Sequence, residues 1–143
     1  MNISKAAIAT SEQELKSVYD IRRTVFVQEQ GVSEEEEYDE YEEASAHVLV
    51  YYEGKPVGTG RIRVLDSKAK LERICVLPEY RNYGFGREVM AALEEVARSK
   101  GLSQAKLHAQ TQAQDFYTKL GYEQVSDLFL EADIPHVAMV KPL

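Results

Sequence analysis

The chain has 143 residues, a net charge of −7 and one cysteine, Cys75. That length suits a single domain, 1–143, able to bury most of its surface without disulfides or metals, and a lone cysteine excludes an intrachain disulfide framework and points to a reducing, cytoplasmic setting. No window nears the roughly 18 continuous apolar residues of a membrane span, and an acidic run, eight of the ten residues from Glu34 to Glu43, argues against a nucleic-acid surface.

Ile3 to Ala9 is predicted as a first strand. Ser11-Glu12-Gln13-Glu14 has the form of a capping box. Leu15, Val18, Ile21 or Arg22, Val25 and Phe26 follow at roughly helical spacing, which predicts a helix to about Gln30, stopped by Gly31. The acidic run reads as a loop or a short solvated helix. Tyr38, Tyr41 and this run are also a candidate substrate wall that would attract a cation, although such runs are more often solvated loops.

Ala46 to Glu53 and Val57 to Leu65 are predicted as a hairpin about Glu53-Gly54-Lys55-Pro56. Asp66-Ser67-Lys68 turns the chain into a third strand, Leu71 to Leu77. Gly84 to Lys100 carries Val89, Met90, Leu93, Val96 and Ala97 on one stripe, with Gly101 as C-cap. A strand from Ala105 to Gln110, a short helix from Ala113 to Leu120, and a final strand pair, Tyr122 to Leu130 and His136 to Lys141, complete an α+β order with a central mixed sheet. Charge is uneven: residues 55–119 hold twelve Lys and Arg against seven Asp and Glu, so the middle of the chain would tolerate or attract a polyanion.

The sharpest local feature is Arg81-Asn82-Tyr83-Gly84-Phe85-Gly86 between a strand and a helix. Two glycines at a helix start let backbone approach a ligand, and the first amides of the helix point outward with the positive end of its dipole behind them. Arg81 would add a bidentate contact or shape the turn. A dinucleotide fingerprint needs a third glycine where Val89 stands, and a P-loop needs Lys-Ser/Thr where Arg87-Glu88 stands, so neither motif fits. Alone, the turn is equally consistent with a glycine-rich entry into a helix.

Val76-Leu77-Pro78-Glu79-Tyr80-Arg81-Asn82-Tyr83-Gly84-Phe85-Gly86 resembles the acetyl-CoA signature of the GNAT superfamily of N-acetyltransferases. Ala113 to Tyr122, with Phe116 and Tyr117, resembles its second motif. Arg23 to Val32, Glu37, Asp39, Ala46-His47, Ala109-Gln110 and Ile134-Pro135-His136 extend the likeness to the small bacterial ElaA/YjcF-like branch. The resemblance implies a GNAT-type fold: a mixed sheet of six to seven strands, about four helices, and a cleft where the strands Leu71–Leu77 and Ala105–Gln110 splay apart. It implies acetyl-CoA as cofactor. The pyrophosphate would lie on the amides around Tyr83 to Arg87, and pantetheine along Ile74, Cys75 and Val76, near Phe116. Gln110 stands where many members have Asn, and Gln is longer. Phe26, Gln30, His108 and His136 would border an amine acceptor on a small molecule or peptide. Homodimers are common in such families.

The implied chemistry sets requirements. A lysine-like amine of pKa about 10.4 is neutral in roughly one molecule per thousand at pH 7, and an ordinary carboxylate is about six units too weak to deprotonate it. Glu72 is the candidate base; the alternatives are an exposed strand carboxylate or a partner for an arginine such as Arg61. By strand alternation it shares a face with Ile74 and Val76. Tyr117 is implied as general acid to the CoA sulfur, the alternative being a core aromatic beside Phe116. An amide of Ile74 or Cys75 would meet the oxyanion. The Cys75 side chain reads as a buried strand cysteine rather than a nucleophile, and the spacing of His47, His108 and His136 matches no metal motif. Because fold does not establish activity, a non-catalytic acyl-CoA-binding or partner-binding module stands as the alternative function.

Overall fold

The computed structural model describes residues 4–143; Ile3, the expected start of the first strand, lies outside them. The elements are β1 (Ser4–Ala9), α1 (Glu12–Arg22), a π-helical segment (Arg23–Glu29), α2 (Glu34–Glu37), β2 (Ala46–Tyr52), β3 (Lys55–Leu65), β4 (Lys68–Val76), α3 (Phe85–Ser99), β5 (Gln104–Gln110), α4 (Gln114–Lys119), β6 (Glu123–Gln124), β7 (Phe129–Glu131) and β8 (Ile134–Pro142). The sheet order is β1-β2-β3-β4-β5-β8-β6, with β7 also paired to β8. Among the described residues only β4 and β5 run parallel. The eight strands exceed the expected six to seven because Tyr122 to Leu130 is not one strand: two residues pair at β6 and three at β7. No helix among the described residues is long and apolar enough to cross a membrane.

Local chemistry accounts for the starts and stops. Ser11 Oγ accepts from the Glu14 amide at 3.1 Å and Glu14 accepts from the Ser11 amide at 3.0 Å, closing the capping box. The coil continues to Glu29 as expected, but its pitch widens at Arg23, where Thr24 Oγ1 donates to the Asp20 carbonyl. Such π-segments recur at functional sites, and this one, with its cap, brings Phe26, Glu29 and Gln30 to the lining of one cleft. Three two-residue turns have both central residues at positive φ: Glu53-Gly54, Asp66-Ser67 and Ala132-Asp133. This is the primed geometry that matches strand twist. The second and third have no glycine; Asp66-Ser67 is expected as a turn, whereas Ala132-Asp133 is not, so sequence reading misses the β7–β8 hairpin.

One face of the sheet packs on α3. Val89, Met90, Leu93 and Ala97 meet Ile62, Leu71, Leu107 and Met139 in one cluster. The other face meets α1 and the π-segment through Val18, Ile21, Val25, Phe26, Leu49 and Cys75.

A bulge in β4 determines what each face carries. Thr59 pairs with Cys75 and Arg61 with Glu72, so Arg73 and Ile74 together oppose Gly60. Arg73 has φ +56°. A one-residue slip exchanges the faces of a strand. Ile74 and Val76 consequently pack toward α3 while Cys75 packs toward α1. Glu72 lies on the Cys75 side, which corrects the alternation expected from sequence. Gly60 is pressed against α3: a Cβ there would sit 2.7 Å from Leu93 Cδ1 and 2.9 Å from Val89 Cγ1. Gly60→Ala is expected to destabilise the fold by about 1–3 kcal/mol, seen as a lower urea midpoint at unchanged m-value.

Candidate active site

The β4–β5 ladder has three pairs and ends at Leu71 with Leu107, where the bulge begins. Past it the strands part and a cleft of about 760 Å³ opens. It gathers Glu72, Ile74, Cys75 and Val76 from β4, His108 and Gln110 from β5, and Tyr117 from α4. Phe26 and Gln30 come from the π-segment and its cap, His136 from β8, and Arg81 from the turn. The other expected cofactor residues, Asn82, Tyr83, Gly84, Phe85, Gly86, Arg87 and Phe116, are absent from this lining. Tyr83, Gly84 and Phe85 instead line a separate hollow of about 470 Å³ with Tyr52, Tyr80 and Glu88.

The glycine turn has the geometry of an anion site. Gly84 is the N-cap of α3 at φ +88°, and no side chain caps the helix. The amides of the first turn therefore have no intrahelical acceptor. The Phe85 side chain is buried against Tyr52 and Tyr80, leaving only its backbone for a ligand. Phe116 lies against Gly86, 3.3 Å from where a Cβ would stand. Arg87 is exposed and has no ion pair among the described residues. Arg81 shapes the turn by donating Nε to the Val76 carbonyl at 3.1 Å, and its fork holds Glu29 at 2.6 and 2.7 Å. A bound anion would compete with Glu29, a partner that sequence reading did not identify.

The acidic run is not simply solvated. Arg22, fully buried, donates to Glu37 at 2.6 Å and to both oxygens of Glu42 at 2.8 Å. Arg61, also fully buried, forks onto Asp39 at 2.8 and 3.0 Å and reaches Glu72 at 2.8 Å. Arg73 donates to the Glu37 carbonyl, and Arg63 lies 4.0 Å from the Tyr41 ring centroid. The cations this wall meets are the protein's own arginines, among them Arg61, Arg63 and Arg73 of the middle region.

Glu72 sits at the end of that network. It accepts from Arg61 and Arg63 at 2.8 Å each and from Lys70 at 3.4 Å. Burial alone would raise its carboxyl; the Arg63 hydrogen bond and the charges of Arg61 and Lys70 overcome burial and hold it at about 2. A carboxylate so held is a poorer proton acceptor than an ordinary one. The geometry weighs against the expected base role and matches the alternative, pairing with Arg61.

Tyr117 is buried in the α3-side cluster and also borders the cleft. Its hydroxyl makes no hydrogen bond among the described residues, and burial, then the neighbouring Cys75, pushes its pKa up. The Cys75 thiol is raised by burial in the α1-side cluster, so its side chain is a packed strand cysteine and not an activated nucleophile. Gln110 donates to Gln30 at 2.8 Å and accepts from Gln112, linking β5 to the π-segment across the cleft. The three histidines divide: His47 is buried under α1 with Nε2 on the Glu42 carbonyl, whereas His108 and His136 converge on Glu131. Glu131 was not legible in the sequence because the turn that delivers it was not.

Comparison with known proteins identifies the family and the fold. The family model described as an acetyltransferase (GNAT) domain matches residues 6–143. YjcF of Bacillus subtilis, an uncharacterised N-acetyltransferase by name, is 51% identical over 96% of this chain and 99% of its own. A crystal structure from Lactobacillus plantarum, of a protein bearing an N-acetyltransferase name, superposes with TM-score 0.91 at 29% identity, covering 98% of both chains. The PaiA N-acetyltransferase of Thermoplasma acidophilum, solved in complex with coenzyme A, shares the fold at TM-score 0.74 and 16% identity, over 99% of both chains.

Proposed function

Since the chain belongs to the acetyltransferase (GNAT) family, we propose that it transfers an acetyl group from acetyl-CoA directly to a primary amine of a small molecule or peptide. The observation that carries this reading is the pairing of an uncapped α3 N-terminus, entered through Gly84 at φ +88°, with a cleft that opens beside it where β4 and β5 part. Pyrophosphate on the amides around Tyr83 to Arg87 would leave pantetheine to follow the freed β4 edge, adding to it like a strand. The thioester would then reach Ile74, Cys75 and Tyr117.

The amine nitrogen attacks the thioester carbon, an amide of Ile74 or Cys75 stabilises the oxyanion, and the C–S bond breaks. Tyr117 gives its proton to the departing thiolate. The burial that raises Tyr117 would raise a thiolate formed beside it as well, so donor and acceptor stay comparable. Glu72 serves in this scheme as an anchor for Arg61, Arg63 and Lys70. Glu72→Gln is accordingly expected to lower stability while leaving the pH–rate profile in place; a displaced profile would return Glu72 to the role of base.

The test is a panel of primary amines with acetyl-CoA, reading free thiol and identifying the acetylated product by mass. Amine-dependent thiol release with an N-acetyl product supports the proposal. Acetyl-CoA binding without turnover on any amine would establish the non-catalytic alternative.

A further inference from the structure

With Glu72 committed to three cations, the acceptor's proton needs another destination, and a second group in the cleft fits that need. We propose, on the basis of the acetyl-transfer reading, that His108 takes the proton from the attacking amine and that Glu131 is the residue that positions it.

The arrangement rests on the β7–β8 hairpin. Its turn holds Ala132 at φ +51° and Asp133 at φ +61°, a conformation that non-glycine residues adopt at a cost. In return it sets Glu131 opposite Ile134 and inside the cleft. Glu131 Oε1 lies 2.9 Å from His108 Nδ1, while Lys70 Nζ lies 3.5 Å from the same nitrogen. The shorter contact, to an acceptor-only carboxylate, places the proton on Nδ1. That leaves Nε2 as the lone pair of the neutral ring, and Nε2 has no partner among the described residues. Phe129 stands edge-on to the ring at a centroid distance of 5.0 Å, so carboxylate and aromatic together limit its rotation.

Both signs of charge stand around His108. Lys70 and Glu72 face His108 from β4, Glu131 from β7 and His136 from β8. The His108 bond is the largest influence lowering the Glu131 carboxyl, so Glu131 stays anionic and can stabilise an imidazolium opposite it. His136 is the weaker candidate: its Nδ1 is tied to the Ile134 carbonyl at 2.6 Å, its Nε2 is 3.7 Å from Glu131, and its side chain is 8% exposed against 26% for His108.

In the step itself an N–H bond of the substrate ammonium breaks, the proton passes to His108 Nε2, the freed electron pair forms the new N–C bond with the acetyl carbon, and the nitrogen's second proton is lost to water as the amide forms. The C–S electron pair leaves on sulfur, which takes the Tyr117 proton; His108 later returns its proton to water, and the Tyr117 phenolate takes one back from water.

The test uses the full chain, acetyl-CoA, and two amines of different basicity, cadaverine and glycinamide. His108→Gln is expected to lower kcat/KM for cadaverine about 100-fold or more and for glycinamide distinctly less, because a larger share of the less basic amine is already neutral. Glu131→Gln is expected to move the acidic limb of the profile to lower pH, since removing a carboxylate disfavours the charged ring. Added imidazole is expected to restore part of the activity of His108→Ala. Imidazole 15N spectra of the wild type supply a readout independent of turnover: His108 should be the Nδ1–H tautomer when neutral. An Nε2–H tautomer, or equal losses on both amines, would overturn the proposal while acetyl transfer stands. A wild type inert toward every amine would overturn both.

Discussion

Tyr117→Phe is expected to lower kcat by about 100-fold or more, the range in which loss of a positioned general acid falls, with the KM for acetyl-CoA little changed. The hydroxyl makes no hydrogen bond among the described residues and only borders the cleft. Its removal therefore leaves no buried partner unsatisfied, and the ring keeps its edge-on contacts with Phe116 and Tyr122. Stability should be nearly unchanged, which separates a chemical role from a packing role. The measurement is steady-state thiol release for wild type and variant beside their urea midpoints. An undiminished kcat would remove Tyr117 from the mechanism; an equal fall in kcat and in stability would return it to the core.

Arg61→Met is expected to destabilise the protein by about 3–5 kcal/mol, the range for breaking a buried pair from one side. Arg61 is fully buried and holds Asp39, Glu42 and Glu72 within 3.0 Å. Methionine fills similar space and leaves three carboxylates without that fork. The same network predicts an acid transition. Asp39 and Glu72 titrate near 3.9 and 4.3 in an unfolded chain but are held at about 2 in the fold. Above those ordinary values both states are ionised and the attraction contributes in full. As pH falls from about 5 to 2 the unfolded chain takes up protons that the folded one does not, and this stabilisation drains away. Urea midpoints from pH 7 to 3 should fall in the wild type and respond less in Arg61→Met. Equal slopes would place the depressed carboxylates outside Arg61's control.

Much of this site was legible before any coordinates. The α3 stripe, the capping box at Ser11, the glycine turn and the second motif around Tyr117 are local patterns. Each depends on residues a few positions apart; periodicity and turn chemistry reveal the first three, and the family resemblance the fourth. The face presented by Glu72 was not legible, because alternation assumes a regular strand and one extra residue at Arg73 inverts it. Nor was the fate of the acidic run. Seen alone it has no basic partner nearby, and Arg61, Arg63 and Arg73 are brought beneath it only by the folding of β3 and β4.

The Arg81–Gly86 turn and its helix follow from the sequence by itself, since left-handed backbone at Gly84 and an uncapped helix start are properties of neighbouring residues. What only the tertiary structure decided is how charge is shared in the cleft: Arg81 with Glu29, Glu72 with three cations, and His108 with Glu131. Those partners are separated by up to 52 positions in the chain. Whether a carboxylate there accepts a proton or merely anchors an arginine depends on which charges lie within about 4 Å, a distance set by strand register and not by sequence spacing.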